Sequence, residues 1–190
     1  MVAPSGWSRH RIVRLLTTVG GVTDPVAADR PLRAAAARFE VVDPTGTEAT
    51  EAMQAYFDEL DERFPGGFEP GDALGRGAAP MAAPIGVFVL ARIGDDVAAC
   101  GGVQRHDDDT GEVKRMWVAP GWRGTGLGRR MLAELERRAA ELGFRRVVLD
   151  TNGTLDEALA LYGSSGYAAI DRYNDNPYAQ HWFAKSLAPG

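Results

Sequence analysis

The chain has 190 residues, with 21 lysines and arginines against 26 acidic residues for a net charge of −5, 45% hydrophobic residues and a single cysteine. That length and apolar content fit one globular domain of ordinary core size and argue against wholesale disorder. No apolar run approaches the roughly 18 residues that a membrane-spanning helix needs; a lone thiol makes no internal disulfide and no secretory apolar segment opens the sequence, so the expected setting is a reducing cytoplasm, with no membrane partner.

Charge is unevenly spread. Up to position 38 six arginines stand against two aspartates, a net +4, and the remainder carries −9. Only Lys114 and Lys185 are lysines, and with no basic patch joined to a groove-reading motif no nucleic-acid partner is expected. Residues 7–16 read as a short basic helix that Gly20, Gly21, Pro25 and Pro31 break. Lacking a sustained apolar face, residues 1–37 are expected to lie outside the domain, as a poorly ordered extension or a contact arm for a partner surface, which leaves 38–190 as the domain.

From position 38 the pattern becomes regular. Residues 39–42 are β-prone and end at Asp43-Pro44, after which Thr45-x-x-Glu48 has the spacing of a capping box. Ala49, Met53, Tyr56, Phe57, Leu60 and Phe64 follow at three- and four-residue steps, giving one apolar face on an otherwise acidic helix that stops at Pro65-Gly66-Gly67. Residues 70–84, rich in Gly, Ala and Pro, are expected to form a mobile flap or insertion. Three strands come next (86–93, 97–105, 112–118), then a helix over about 125–142, a strand at 145–150, a helix capped by Thr154-x-x-Glu157 and running through Tyr162, and two final strands near 167–171 and 181–185. This order predicts a mixed, mostly antiparallel sheet with flanking helices, between the α/β and α+β classes.

Between the third of those strands and the long helix lies Arg123-Gly124-Thr125-Gly126-Leu127-Gly128. Glycines there let a ligand approach the backbone, and N–H groups converging at a helix start suit an anion such as a pyrophosphate. Taken alone the run is ambiguous. A dinucleotide fingerprint starting at Gly124 would need glycine where Arg129 stands, and no Gly-Lys-Ser/Thr follows to make a P-loop.

The run Arg123-x-x-Gly126-x-Gly128, after a strand reading Glu112-Val-Lys-Arg-Met-Trp-Val-Ala-Pro, resembles the cofactor motif of the GCN5-related N-acetyltransferases (GNAT). The likeness continues through residues 147–152 and through Ala158-Leu-Ala-Leu-Tyr162-Gly-Ser-Ser-Gly-Tyr167, and covers about residues 38–187. It implies the acyl-CoA N-acyltransferase fold, with a six- to seven-stranded sheet, and transfer of an acetyl group from acetyl-CoA to an amine in a ternary complex. By the same resemblance the backbone from Gly124 through Thr125, Gly126 and Leu127 to Gly128, with Arg123 and Arg129, holds the CoA pyrophosphate. The main chain of Met116, Trp117 and Val118 on a bulged strand pairs with the pantetheine arm, with the Val118 N–H at the thioester oxygen, and Asn152 touches that arm or a water.

Tyr162 matches the family's tyrosine that protonates the departing thiolate, although a core tyrosine on an amphipathic helix is the alternative. Glu112 resembles a strand carboxylate used as base in some members, while others manage without one and a glutamate at a strand end is commonly only solvated. Asp58 and Glu59 with Tyr173, Asn174 and Tyr178 are the expected acceptor-site lining, and carboxylates there would favour a cationic amine. The acceptor is expected to be a small-molecule amine. A non-catalytic acyl-CoA-binding module and a protein N-terminal or lysine acetyltransferase are the alternatives, and the oligomeric state, a homodimer included, is open. His10, His106 and His181 lie far apart with no partner at metal-ligand spacing, so no metal is expected, and Cys100 is read as a buried small residue.

Overall fold

The computed structural model describes residues 25–188. The expected helix at 7–16 lies outside them. The elements are α1 (Pro25–Ala35), β1 (Arg38–Val42), α2 (Thr47–Arg63), a 3-10 turn at Ala79–Met81, β2 (Val87–Ile93), β3 (Asp96–Arg105) and β4 (Thr110–Val118). There follow a 3-10 turn at Pro120–Trp122, α3 (Leu127–Glu141), β5 (Arg146–Thr151), α4 (Asp156–Ser164), β6 (Ala168–Ala169) and β7 (His181–Ser186). The seven strands form one mixed sheet in the order β1-β2-β3-β4-β5-β7-β6. Every neighbouring pair is antiparallel except β4 with β5.

That parallel pair creates the opening in the sheet. β4 and β5 are paired only from Thr110–Arg146 to Glu112–Val148, and beyond this the strands part. On the other side of β4, Lys114 pairs with Gly102 and Trp117 with Cys100, so Arg115 and Met116 together face the single residue Gly101. This β-bulge bends β4 away from β5 and leaves main-chain groups without a strand partner in the middle of the sheet.

The core forms where helical and strand periodicities meet. α3 buries Leu127, Met131, Leu132, Leu135 and Ala139 on one stripe against β2, β3 and β4. Close packing explains two consecutive glycines on β3: a Cβ at Gly101 would sit 2.8 Å from Leu135, and one at Gly102 would sit 2.4 Å from the Met81 sulfur. Their side-chain directions point to opposite faces of the sheet, so the sheet is covered by α3 on one face and by the Met81 segment on the other. Residues 70–84 are therefore not a free flap. Met81 and Ala78 are fully buried and pin the segment to Phe88 and Gly102, a burial that a local count of glycines and prolines does not reveal.

Both expected capping boxes give way to a neighbouring side chain. The Thr45 hydroxyl and N–H both donate to Asp43, Gly46 is the N-cap of α2, and Glu48 pairs with Arg92. At α4 the Thr154 hydroxyl donates to Asn152, the N-cap is Leu155, and Glu157 pairs with Arg63. An Asx turn two residues upstream satisfies the threonine before the helix N–H groups can.

The expectation that the basic lead lies outside the domain does not describe residues 25–37. They include helix α1, with Pro31 inside it, and Ala34 is 1% exposed. Three arginines hold this segment: Arg30 donates to the Gly121 carbonyl at 3.1 Å, Arg33 lies over the Trp122 ring, and Arg130 donates to the Ala34 and Ala37 carbonyls. Arg130→Gln removes the last pair of charged hydrogen bonds and is expected to cost about 1–2 kcal/mol. Denaturant unfolding and limited proteolysis check this: a lower midpoint and faster cleavage within 25–37 are expected, and an unchanged midpoint would show that the segment does not depend on Arg130. No described helix is long and apolar enough to cross a membrane.

Candidate active site

Two cavities meet at the splay of β4 and β5. The first, about 330 Å³, lies between α2, the end of β4, the glycine loop and α4, and is lined by Met116, Trp117, Val118, Gly124, Gly126, Gly128, Arg123, Arg129 and Tyr162 among others. The second, about 400 Å³, is lined by aromatic residues of α2 and the loop after it, by Lys114, Arg115 and Asp150 from the parted strands, and by Asn152 and Tyr178. Tyr56, Leu60, Met116, Leu155, Ala158 and Tyr162 wall both.

The head of the first cavity is built from local chain geometry. Gly124 and Gly126 have φ of +73° and +84°, the left-handed conformation that favours glycine, and a Cβ at either would meet nothing within 4 Å. Gly126 is the N-cap of α3 with no side chain capping it, so the first N–H groups of the helix have no acceptor among the described residues. These free donors at the positive end of a helix fit a pyrophosphate. Leu127 turns its side chain into the core and Thr125 donates its hydroxyl to the Trp122 carbonyl at 2.6 Å, so these two take part only through their main chain.

Arg123 lines the first cavity beside the glycine loop, with its guanidinium engaged by protein groups. Its Nε donates to the Val118 carbonyl at 3.0 Å and its Nη2 to Glu59 at 2.5 Å, and Glu59 also accepts the Trp117 indole N–H at 2.8 Å. Burial would raise the Glu59 pKa, but the hydrogen bonds from Arg123 and Trp117 outweigh it and hold the carboxyl below its ordinary value. Glu59 is thus spent on tying the glycine loop and the end of β4 to α2, and it walls the first cavity rather than the second. Arg129 lines the cavity with its guanidinium on the Ser164 carbonyl and hydroxyl.

Tyr162 sits where the cavities join. It is 7% exposed, its ring packs on Tyr167 and Phe183, and its hydroxyl has no hydrogen-bond partner among the described residues. Burial, reinforced by the Asp150 charge, raises its pKa well above the ordinary phenol value, so it is protonated at neutral pH.

Glu112 is 6% exposed and walls neither cavity. Its carboxylate accepts from Lys114, Gln104 and Tyr173, and Lys114 also donates to Asp150 at 3.2 Å. Asn174 and Asn176 complete the set on Asp150 at 3.0 and 2.8 Å. Burial would raise the Asp150 pKa, but Lys114 and the two asparagines hold it down, and Lys114 is held above its ordinary value by its two carboxylates despite its own burial. The carboxylates that line the second cavity are therefore Asp150 from the parted strand and Glu69 from the loop after α2.

Of the expected acceptor-site residues only Tyr178 lines that cavity, its hydroxyl accepting the Glu69 N–H at 3.0 Å. Tyr173 and Asn174 lie behind it, on the Glu112 and Asp150 carboxylates. Asp58 is exposed and accepts from Gln54, one helix turn earlier. Asn152 does not line the first cavity. Its amide donates to the Tyr178 carbonyl and its oxygen accepts from Thr154, so it shapes the turn between β5 and α4. Sequence reading missed Lys114, Arg115, Asp150 and Tyr56. Of these, only Asp150, a charge closing the apolar run Val147–Val148–Leu149, carried a local signal.

The Acetyltransferase (GNAT) family profile matches residues 48–167. The chain belongs to the GNAT family. An IAA acetyltransferase of Azospirillum brasilense is 37% identical over 92 residues, 48% of this chain, and the chain spans 59% of that relative's length. Among solved structures, a GNAT acetyltransferase from Staphylococcus aureus Mu50 superposes with a TM-score of 0.66 at 16% identity, covering 80% of this chain and 100% of its own. One from Elizabethkingia anophelis with acetyl-CoA bound gives 0.59 at 15% identity, covering 80% and 98%. These likenesses show that the GNAT fold is shared. Among the described residues no group of three or more His, Cys, Asp or Glu side chains could hold a metal ion.

Proposed function

We propose that this GNAT protein is an acetyl-CoA-dependent N-acetyltransferase that acts on a primary amine of a small molecule. The observation that carries the reading is the meeting of two cavities at Tyr162 and Met116, one headed by the uncapped start of α3 and the other ending on an ionised carboxylate. Bound acetyl-CoA supplies an activated acyl group. A cationic amine first gives one proton to solvent; the neutral nitrogen then forms a bond to the carbonyl carbon as the carbon–sulfur bond breaks, and a second proton passes in net from nitrogen to sulfur.

The residues divide that work. The main chain from Gly124 to Gly128 and the Arg129 side chain receive the pyrophosphate, while the main chain of Met116 and Val118 on the splayed edge of β4 lines the route of the arm. Arg123 and Glu59 fix the loop in place. Tyr162 is the proton donor to the leaving sulfur, and Asp150, kept ionised by Lys114, draws a cationic amine into the second cavity. Glu112 acts through Lys114 and Tyr173 and is a positioning residue.

Gly126→Val tests the cofactor half. A β-branched residue at a φ of +84° is strained by about 1–3 kcal/mol and turns the helix-start N–H groups away. CoA affinity by calorimetry is expected to fall at least about tenfold with the fold intact by circular dichroism. The whole reading is tested by release of CoA thiol from acetyl-CoA on adding primary amines. Tight CoA binding without thiol release from any amine would favour a non-catalytic acyl-CoA-binding module.

A further inference from the structure

The β4 bulge places an arginine where the backbone least favours one. Arg115 has a φ of +55°, the only positive φ of a non-glycine residue among those described, and such outliers concentrate at functional sites because the local cost persists only when something else requires the residue. Two of its five donors are engaged, Nη2 on the Gly77 carbonyl at 2.7 Å and Nη1 on the Met53 sulfur, a weak acceptor, at 3.2 Å. Its guanidinium lies 5.9 Å from the Phe57 ring centre. Among the described residues no carboxylate pairs with it, whereas Lys114 beside it has two. Burial disfavours its charge.

The surroundings say what would compensate that charge. Arg115 lines the second cavity together with a cluster of aromatic rings, Phe57 on Phe68 at 5.4 Å and Phe68 on Tyr178 at 4.8 Å, with Lys114 and the ionised Asp150 that pairs with it, and with the exposed Glu69, which forms no ion pair with Arg115. A cation free to take an anion, an anion able to hold an ammonium and an apolar wall thus share one chamber, with Tyr162 at its junction with the first cavity. An amine without an acidic group would leave the guanidinium uncompensated, and desolvating it further would weigh against binding.

We propose that Arg115 receives the carboxylate of the acceptor, so that the amine acetylated is that of a small amino acid with an aromatic or large apolar side chain. This assignment rests on the acetyl-transfer reading above. Phenylalanine and phenethylamine, which differ only in the carboxylate, are the probes, titrated calorimetrically into the full chain saturated with CoA.

The protein is expected to bind phenylalanine at least about tenfold more tightly, the scale of one charged hydrogen-bonded pair. Arg115→Asn, which tolerates the left-handed backbone, is expected to abolish that preference while leaving CoA affinity unchanged. With acetyl-CoA present the loss should fall on KM for phenylalanine and not on KM for phenethylamine. A purely structural Arg115 would weaken both probes alike. Equal binding of the two by the unmodified protein, or a preference that survives in Arg115→Asn, overturns the assignment. Should that variant fail to fold, the comparison of the two probes on the unmodified protein decides alone. Absence of CoA binding would overturn the acetyl-transfer reading itself, and this assignment with it; CoA binding without carboxylate preference overturns this assignment alone.

Discussion

Tyr162→Phe is expected to lower kcat about a hundredfold, the lower end of the range for a positioned general acid, with KM for acetyl-CoA and thermal stability nearly unchanged. Among the described residues two phenols on the wall common to both cavities keep a proton that no protein group accepts, Tyr162 on α4 and Tyr56 on α2. Burial and the Asp150 charge raise the Tyr162 pKa, so the donor form persists through neutral and mildly alkaline pH. Phenylalanine keeps the ring contacts with Tyr167 and Phe183, so the substitution removes the proton and little else. Stopped assays of thiol release with a fixed amine measure the effect. A loss of less than about threefold would assign the proton to another group, and Tyr56→Phe would then be the informative variant.

Lys114→Met is expected to destabilise the fold by about 3 kcal/mol, the lower end of the cost of breaking a buried ion pair by removing one partner. The lysine sits between two carboxylates whose side chains are 8% and 6% exposed, Glu112 at 3.0 Å and Asp150 at 3.2 Å. Tyr173, Asn174 and Asn176 still donate to them in the variant and soften the loss. For a chain of this size the melting temperature should fall by about 6–12 °C.

The pH dependence follows from the direction of each shift. Asp150 has a lowered folded pKa, so its contribution is complete above the ordinary carboxyl value near 4 and is lost as pH falls through the lower folded value. Lys114 has a raised folded pKa, so its contribution is complete below the ordinary ammonium value of about 10.4 and is lost only as pH rises through the higher one. The gap between the native protein and Lys114→Met should therefore be flat between about pH 5 and 10 and shrink in acid, where protonating Asp150 relieves the variant. A gap that is absent at neutral pH would show that the neutral donors suffice.

The same residues separate what was readable in one dimension from what was not. The order of helices and strands from β1 onward, the apolar stripes of α2 and α3, and the glycine loop at the start of α3 all follow from residues within a turn or two of one another. So does the likeness to GNAT acetyltransferases, because the motif is a local run. The capping boxes failed on an equally local competition, in which Asp43 and Asn152 reach the threonines first.

The second cavity required the tertiary structure. Lys114 meets Asp150 across 36 positions, Arg115 meets Met53 across 62, and Tyr173 reaches Glu112 across 61. Such pairs are set by where the sheet splays and which face the bulge turns outward, and neither composition nor periodicity encodes that. By itself the sequence determined the glycine loop, the element order from β1 onward and the tyrosine on α4, because backbone conformation at glycine and hydrophobic periodicity are short-range properties. Only the packed fold decided that the arginine-rich segment 25–37 docks on the domain, that residues 70–84 are pinned by Met81, and that Asp150 reaches the second cavity while Glu112 does not, because burial and long-range partners exist only once the chain has closed on itself.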